Sequence, residues 1–345
     1  MAALNFLSDN VRGAWPEMLE AVTVESAGAQ RSYGEDEITA RLEARFSKVF
    51  EHELRVFPVI TGTAANALAL STLVPGHGAV LCRDGSHIAV DECGAVEFLS
   101  QGAKLVTLAG RNGKLSPVDI KSALAHFQRG VVHQSQPAAI SITQATELGT
   151  VYTPGEISAL GKFAHDSDLK LHMDGARLAN ALAYLKCAPA DVTWRAGVDV
   201  LSFGATKGGA LGAEAVVFFD PDDARDFAFR QKRSGHLTSK MRFLSVQLET
   251  FLQDERWISR AHLANTLAQK LAKGLAEAGA ELAHPVESNA VLVRLPDLIV
   301  ARLRNEGALF YDWEPPRDGH TLARLVTSFA TPEDDIEKLI ALAKR

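Results

Sequence analysis

The chain predicts an α/β fold, in which a mainly parallel, doubly wound sheet forms a large domain and a smaller α+β domain follows it. Three observations carry this expectation. From Val56 to Phe219, short apolar runs with strand character alternate with helical stretches, the pattern of βαβ units. Gly62, His87, Asp174 and Lys207 each follow the end of one of those runs, and open α/β sheets bind ligands beyond the carboxyl ends of their strands. After about residue 235 the alternation stops, and helices come first with strands behind them. The division expected is an N-terminal arm over 1–15, a large domain over 16–240 and a small domain over 241–345.

Composition narrows the function. The 345 residues are 47% hydrophobic and 23% charged, an ordinary globular balance with length enough for two domains. A net charge of −6 offers no basic surface for nucleic acid. Cys82, Cys93 and Cys187 have neither metal-ligand spacing nor a disulfide framework, so no metal is expected and the thiols suit a reducing compartment. Residues 1–12 lack the pattern of a signal peptide, and every apolar stretch is interrupted before it reaches membrane-spanning length. A cytoplasmic protein with no membrane or nucleic-acid partner is the expectation. No Gly-x-Gly-x-x-Gly follows the first strand, which argues against a dinucleotide-binding dehydrogenase.

Taken in order, 5–12 reads as an extended arm carrying Ser8 and Asp9, and 16–21 as a short helix. Ile38, Leu42, Phe46, Val49 and Phe50 fall on one face of a helix over 37–50. A strand at 56–60 leads into Thr61-Gly62-Thr63-Ala64-Ala65-Asn66 and a helix through Leu73. A Gly-Thr turn that opens a helix presents backbone N–H groups to an anion. Strands follow at 79–82, 104–108 and 138–142; Ser116 caps the helix begun by Pro117, and 154–165 is helical. Then come the strand ending at Asp174, helices over 178–185 and 189–195, the strand before Lys207 and a strand over 213–219. The region 226–260 reads as helical with many cations, 262–278 as a long helix, 290–295, 308–311 and 322–326 as strands, and 332–344 as a closing helix.

Two strand ends carry the chemistry. Lys207 stands after a buried-type strand among Gly, Ala and Thr, where desolvation lowers an amine pKa and frees its lone pair for Schiff-base formation. Upstream, Asp174 ends a strand and is followed by Gly175, Ala176 and Arg177. Pyridoxal phosphate needs this pair, a lysine for its aldehyde and a carboxylate to keep its pyridine nitrogen protonated.

These stretches, with Ser8-Asp9-Asn10, Tyr33-Gly34 and Gly62 to Asn66, occur in one order over about 5–331. In that order the chain resembles the low-specificity L-threonine aldolases, of the β-eliminating lyase group of fold-type I pyridoxal-phosphate enzymes. The resemblance implies a seven-stranded-type sheet and pyridoxal 5'-phosphate as cofactor. Lys207 would bind the cofactor covalently, Asp174 hold the ring, His87 stack on it, and Gly62 and Thr63 receive the phosphate. Arg324 would grip the substrate carboxylate, with Arg177 and Ser8 in support. A cation at Lys240 or Arg242 would reach a cofactor phosphate, often a neighbouring subunit's, which implies a homo-oligomer, at least a dimer and in expectation a tetramer. The substrates implied are L-threonine, L-allo-threonine and related L-β-hydroxy-α-amino acids, cleaved reversibly to glycine and an aldehyde.

The chain departs from many relatives at Gln144-Ala145-Thr146-Glu147, where they carry a histidine that meets the substrate hydroxyl. That leaves His87, a water or Glu92 for the proton transfer, and resembles the branch that includes phenylserine aldolases. The alternative activities are other reactions of the same cofactor, namely β-elimination, racemisation and transamination.

Overall fold

The computed structural model of the protein describes residues 4–344. Seven strands form the large sheet, in the spatial order Arg55–Val59, Glu214–Phe218, Val200–Gly204, Lys170–Gly175, Gln136–Thr143, Gly78–Arg83 and Lys104–Leu108. Glu214–Phe218 runs antiparallel to both neighbours, and all the others share one direction. The mainly parallel sheet anticipated from the alternation is therefore present. Its central strands are buried on both faces, as their near-continuous apolar sequences require.

Helices cover both faces. Glu37–Phe50 turns Leu42, Phe46 and Phe50 inward, and Phe46 meets Phe203 edge-on at 5.2 Å. Gly62–Leu73 packs on the other face and is buried almost all round, which explains why its sequence shows no polar stripe. Asp36 caps the first of these helices and Thr61 the second, each accepting an N–H from three residues on. The helix begun by Pro16 extends to Glu25, longer than its sequence suggested, and 189–196 forms two short 3-10 segments.

The small domain holds a four-stranded antiparallel sheet, in which His320–Val326 lies between Ala290–Pro296 and the short strand Tyr311–Asp312. The helix Asp297–Asn305, unanticipated, links two of its strands. Leu4–Asn5 pairs in parallel with Ala308–Leu309, and Phe6 accepts the backbone N–H of Val326 at 2.9 Å. Leu4 and Phe6 lie in the small-domain core, so the arm's first residues are packed.

One helix, Arg256–Glu277, belongs to both cores. Trp257 and Ala261 pack with the large domain, as do Met241, Leu244, Leu248 and Phe251 before them; Leu267, Leu271 and Leu275 pack with the small one. The division in packing thus falls within this helix, downstream of the 240/241 boundary expected from sequence. Sequence patterning marks where the alternation ends but not which core an amphipathic helix then joins.

Candidate active site

The carboxyl ends of the large-sheet strands face the small domain across a cleft of about 550 Å³. Ser8, Gly62, His87, Asp174, Arg177, Lys207 and Arg324 all line it. The structure thus brings together most of the expected set. Thr63 lines a neighbouring cavity instead, although it stands on the same first helical turn as Gly62. Lys240 is exposed and does not line the cleft. Arg242 is likewise away from it, with its guanidinium at the Gly28 carbonyl.

Lys207 comes three residues after the strand Val200–Gly204, on a turn that cannot tolerate bulk. A Cβ on Gly204 would come within 2.6 Å of the Ala176 Cα, so this glycine lets the two strand ends close together. Gly209 has φ +121°, and a Cβ there would strike the Trp15 indole. The Trp15 backbone N–H donates to the Gly209 carbonyl at 3.0 Å and fastens the turn to the start of the large domain. Burial, and Arg177 behind it, hold the Lys207 amine below its ordinary pKa against the pull of Asp174, Asp9 and Glu214. Burial also pushes Glu214 up to about 7, although its Oε2 accepts the Ala205 N–H at 2.9 Å.

Asp174 is fixed on both oxygens. Its Oδ1 accepts the Ala176 N–H at 3.0 Å, and its Oδ2 accepts from Asn66 Nδ2 at 2.8 Å. The Asn66 amide also donates to Glu92 Oε1 at 2.8 Å, and that oxygen lies 2.7 Å from His87 Nδ1. The His87 bond to Glu92 raises the imidazole pKa, whereas burial raises that of Glu92. The His87 backbone N–H donates to Glu147 Oε1 at 2.9 Å, which also accepts from the Thr143 hydroxyl at 2.8 Å. Two residues before Asp174 on the same strand face, His172 lies between the hydroxyls of Ser141 and Ser202, at 2.9 and 3.0 Å. Burial pushes its pKa down to about 4, so that ring is neutral.

The two arginines differ in what they touch. Arg177 makes a bidentate pair with Asp9, Nε at 3.1 Å and Nη2 at 2.6 Å, and Asn289 Nδ2 donates to the same carboxylate at 2.8 Å. Burial works to raise the Asp9 carboxyl, but Arg177, Lys207 and Asn289 outweigh it and hold it below the usual range. Arg324 has no carboxylate partner among the described residues. Its guanidinium lies over the Trp313 ring at 5.1 Å, and its Nε has no hydrogen-bond partner. Burial, with Arg177 nearby, pushes Arg324 down to about 10.

Some of these contacts are invisible in sequence. Asn66 stands within the Gly62 stretch, where its spacing of four from Gly62 puts both on one helix face; that spacing was the available signal for it. Asp9 reaching Arg177 across the fold, and Trp313 under Arg324, had no sequence signal.

The residues fit pyridoxal phosphate. Lys207 is a desolvated amine beside a carboxylate whose oxygens are already oriented. In the helix begun at Gly62, Thr61 satisfies the N–H groups of Ala64 and Ala65, which leaves those of Gly62 and Thr63 for an anion. Such a sheet with such a cleft defines a fold-type I pyridoxal-phosphate enzyme. A serine palmitoyltransferase from Sphingomonas wittichii, only 15% identical, shares the fold with a TM-score of 0.74 over 99% of this chain and 86% of that one. The chain matches the β-eliminating lyase family over residues 5–297 and belongs to it. It is 43% identical over 337 residues to a low specificity L-threonine aldolase of a Pseudomonas species, covering 97% of this chain and 96% of that protein. A protein of the same name from Pseudomonas aeruginosa is 42% identical over 340 residues, covering 98% and 96%. The structure of a Leishmania major threonine aldolase superposes with a TM-score of 0.93 at 30% identity, covering 99% of this chain and 98% of that one.

Proposed function

We propose that the protein is a pyridoxal-phosphate-dependent L-threonine aldolase. It cleaves L-threonine, L-allo-threonine and related L-β-hydroxy-α-amino acids, L-phenylserine included, reversibly to glycine and an aldehyde. The observation that carries this reading is the unpaired Arg324 guanidinium in the same cleft as the Lys207–Asp174 pair. A planar cation without a protein carboxylate fits the α-carboxylate of an amino acid.

When bound, the cofactor supplies an electron sink at the substrate α-carbon. The chain's own residues supply the rest. Lys207 would hold the cofactor aldehyde, Asp174 would hold its ring nitrogen, His87 would stack on the ring, and the N–H groups of Gly62 and Thr63 would hold the phosphate. Arg324 grips the carboxylate and so fixes which α-carbon bond stands in the reactive orientation. Arg177, held by Asp9, and Ser8 support that contact. Three anchors on the α-carbon exclude D-substrates. At Cβ the described residues offer fewer fixed contacts: the Thr146 hydroxyl bonds Thr150 Oγ1 at 2.7 Å and does not line the cleft. One or two weak contacts to the hydroxyl discriminate by only about 1–3 kcal/mol.

The exposed cation Lys240 reaches the phosphate of a neighbouring subunit in a homo-oligomer, at least a dimer and in this reading a tetramer. The protein works in the cytoplasm, where its three free cysteines suit a reducing compartment. No helix among the described residues is long and apolar enough to cross a membrane.

Aldehyde and glycine release from each purified stereoisomer tests the reading. Both L-threonine and L-allo-threonine should be cleaved and D-threonine left intact. Pyruvate release in place of aldehyde, or strict use of one Cβ epimer, would contradict it.

A further inference from the structure

Glu92 is one of the groups that sequence left as a candidate for the proton at the substrate hydroxyl. The structure removes it from direct contact. Its side chain is wholly shielded from solvent and does not line the cleft. It nevertheless stands in the middle of a continuous chain of short bonds, from His87 Nδ1 to Glu92 Oε1 at 2.7 Å, from Asn66 Nδ2 to the same oxygen at 2.8 Å, and from Asn66 Nδ2 to Asp174 Oδ2 at 2.8 Å.

The donors and acceptors in this chain fix its sense. The single Asn66 NH₂ group has two protons, and both are given to carboxylate oxygens. An ionised carboxylate only accepts, so in the neutral ring the proton at the Glu92 bond belongs to His87 Nδ1. That leaves Nε2 with the lone pair. His87 lines the cleft with about a third of its side chain exposed, and its backbone is held separately by Glu147. The arrangement follows the logic of a buried carboxylate that orients a histidine in a hydrolase triad.

We infer that Glu92 is a positioning residue that holds His87 with its proton on Nδ1 and Nε2 free in the cleft, and that Asn66 ties this pair to Asp174. So held, His87 can take the hydroxyl proton of a β-hydroxy-α-amino acid. The O–H bond breaks and an Nε2–H bond forms; the freed O–H pair becomes the second bond of the aldehyde carbonyl. The Cα–Cβ pair remains on Cα, which takes up a proton from solvent to give glycine, while Nε2–H gives its proton to solvent and the ring returns to its starting state. In the reverse direction the same Nε2–H returns its proton to the aldehyde oxygen. The groups that set the charge of His87 are Glu92, which raises its pKa through the hydrogen bond, burial, which lowers it, Asp174, which raises it, and Lys207, which lowers it. Asp91 adjoins it at the cleft, and Glu147 touches only its backbone.

The inference rests on the aldolase reading, and the test separates the two. The holoenzyme and its Glu92→Gln, Glu92→Asp and His87→Asn variants are compared by pH profiles of kcat/KM for L-threonine and of the cofactor's visible absorbance, with cofactor affinity measured alongside. The wild-type profile should show an ionisation that is absent in His87→Asn. Glu92→Gln should move that ionisation down by about one pH unit. It should also lower kcat at least about tenfold, with a much smaller change in KM. Glu92→Asp keeps the charge, so the ionisation should stay raised while kcat falls. An ionisation that does not move in Glu92→Gln, or that moves equally in both variants, overturns the inference. So does a loss confined to cofactor affinity and Tm in every Glu92 variant. A wild-type protein that takes up no cofactor, or releases no aldehyde, refutes the aldolase reading instead.

Discussion

On the large-domain wall of the cleft Asp174, His87 and Arg177 are held by bonded partners, whereas the small-domain wall leaves a charge free. Asp174, His87 and Arg177 each have short bonds to Asn66, Glu92 and Asp9. Arg324 faces them from the other side with only an aromatic ring beneath it. Fixed donors and acceptors suit a group that stays in place through every turnover, since no reorganisation is needed when charge develops. A half-buried cation without a carboxylate partner suits a place where a ligand repeatedly supplies one, because desolvating an unpaired charge is costly. The contrast separates a wall that holds the cofactor from a wall that reads the substrate.

The contrast breaks first at Asp174. Asp174→Asn should keep the fold, yet lower kcat about a hundredfold or more, because an amide cannot stabilise a protonated pyridine as a carboxylate does. Near wild-type kcat would show that the ring partner lies elsewhere.

The arginines sharpen it. Arg324→Lys should raise KM by about tenfold or more and leave the cofactor's absorbance unchanged, because an ammonium cannot give the two-pronged grip. Arg177→Lys should affect KM less and stability more, since it disturbs the buried pair with Asp9. Steady-state kinetics and thermal unfolding on both variants decide the order; a silent Arg324→Lys would reverse the two roles.

The smallest effect concerns His172, inside the large-domain wall and away from substrate. Its folded pKa of about 4 lies below the unfolded value of about 6.5, so the unfolded chain binds a proton that the folded chain refuses. Its contribution is fully present above about pH 6.5 and is lost as pH falls toward 4. Tm should therefore decline over that window, and the decline should be shallower in His172→Gln. An unchanged slope would mean that the imidazole is protonated in its bonds to Ser141 and Ser202.

The same contrast explains what could be read from sequence. Gly62, His87, Asp174 and Lys207 were legible because each lies at or shortly after a strand end, and sheet topology sends all such ends to one edge. Asn66 stood in a recognised stretch without a visible role, since its partners Glu92 and Asp174 lie 26 and 108 residues away. Asp9 and Arg177 are separated by 168 residues, and no local pattern specifies their pairing. The strand Leu4–Asn5 is too short to show a period, so its place beside Ala308–Leu309 emerges only in the fold. Arg324 was legible as a carboxylate grip only through resemblance; its lack of a partner is a fact of three dimensions.

The most direct measurement of the central claim is borohydride reduction of the yellow holoenzyme followed by peptide mapping. The cofactor should be found fixed to Lys207, on the peptide that follows the strand Val200–Gly204. A label on another lysine, or a protein that stays colourless with excess pyridoxal phosphate, would contradict the assignment of the large-domain wall as the cofactor site.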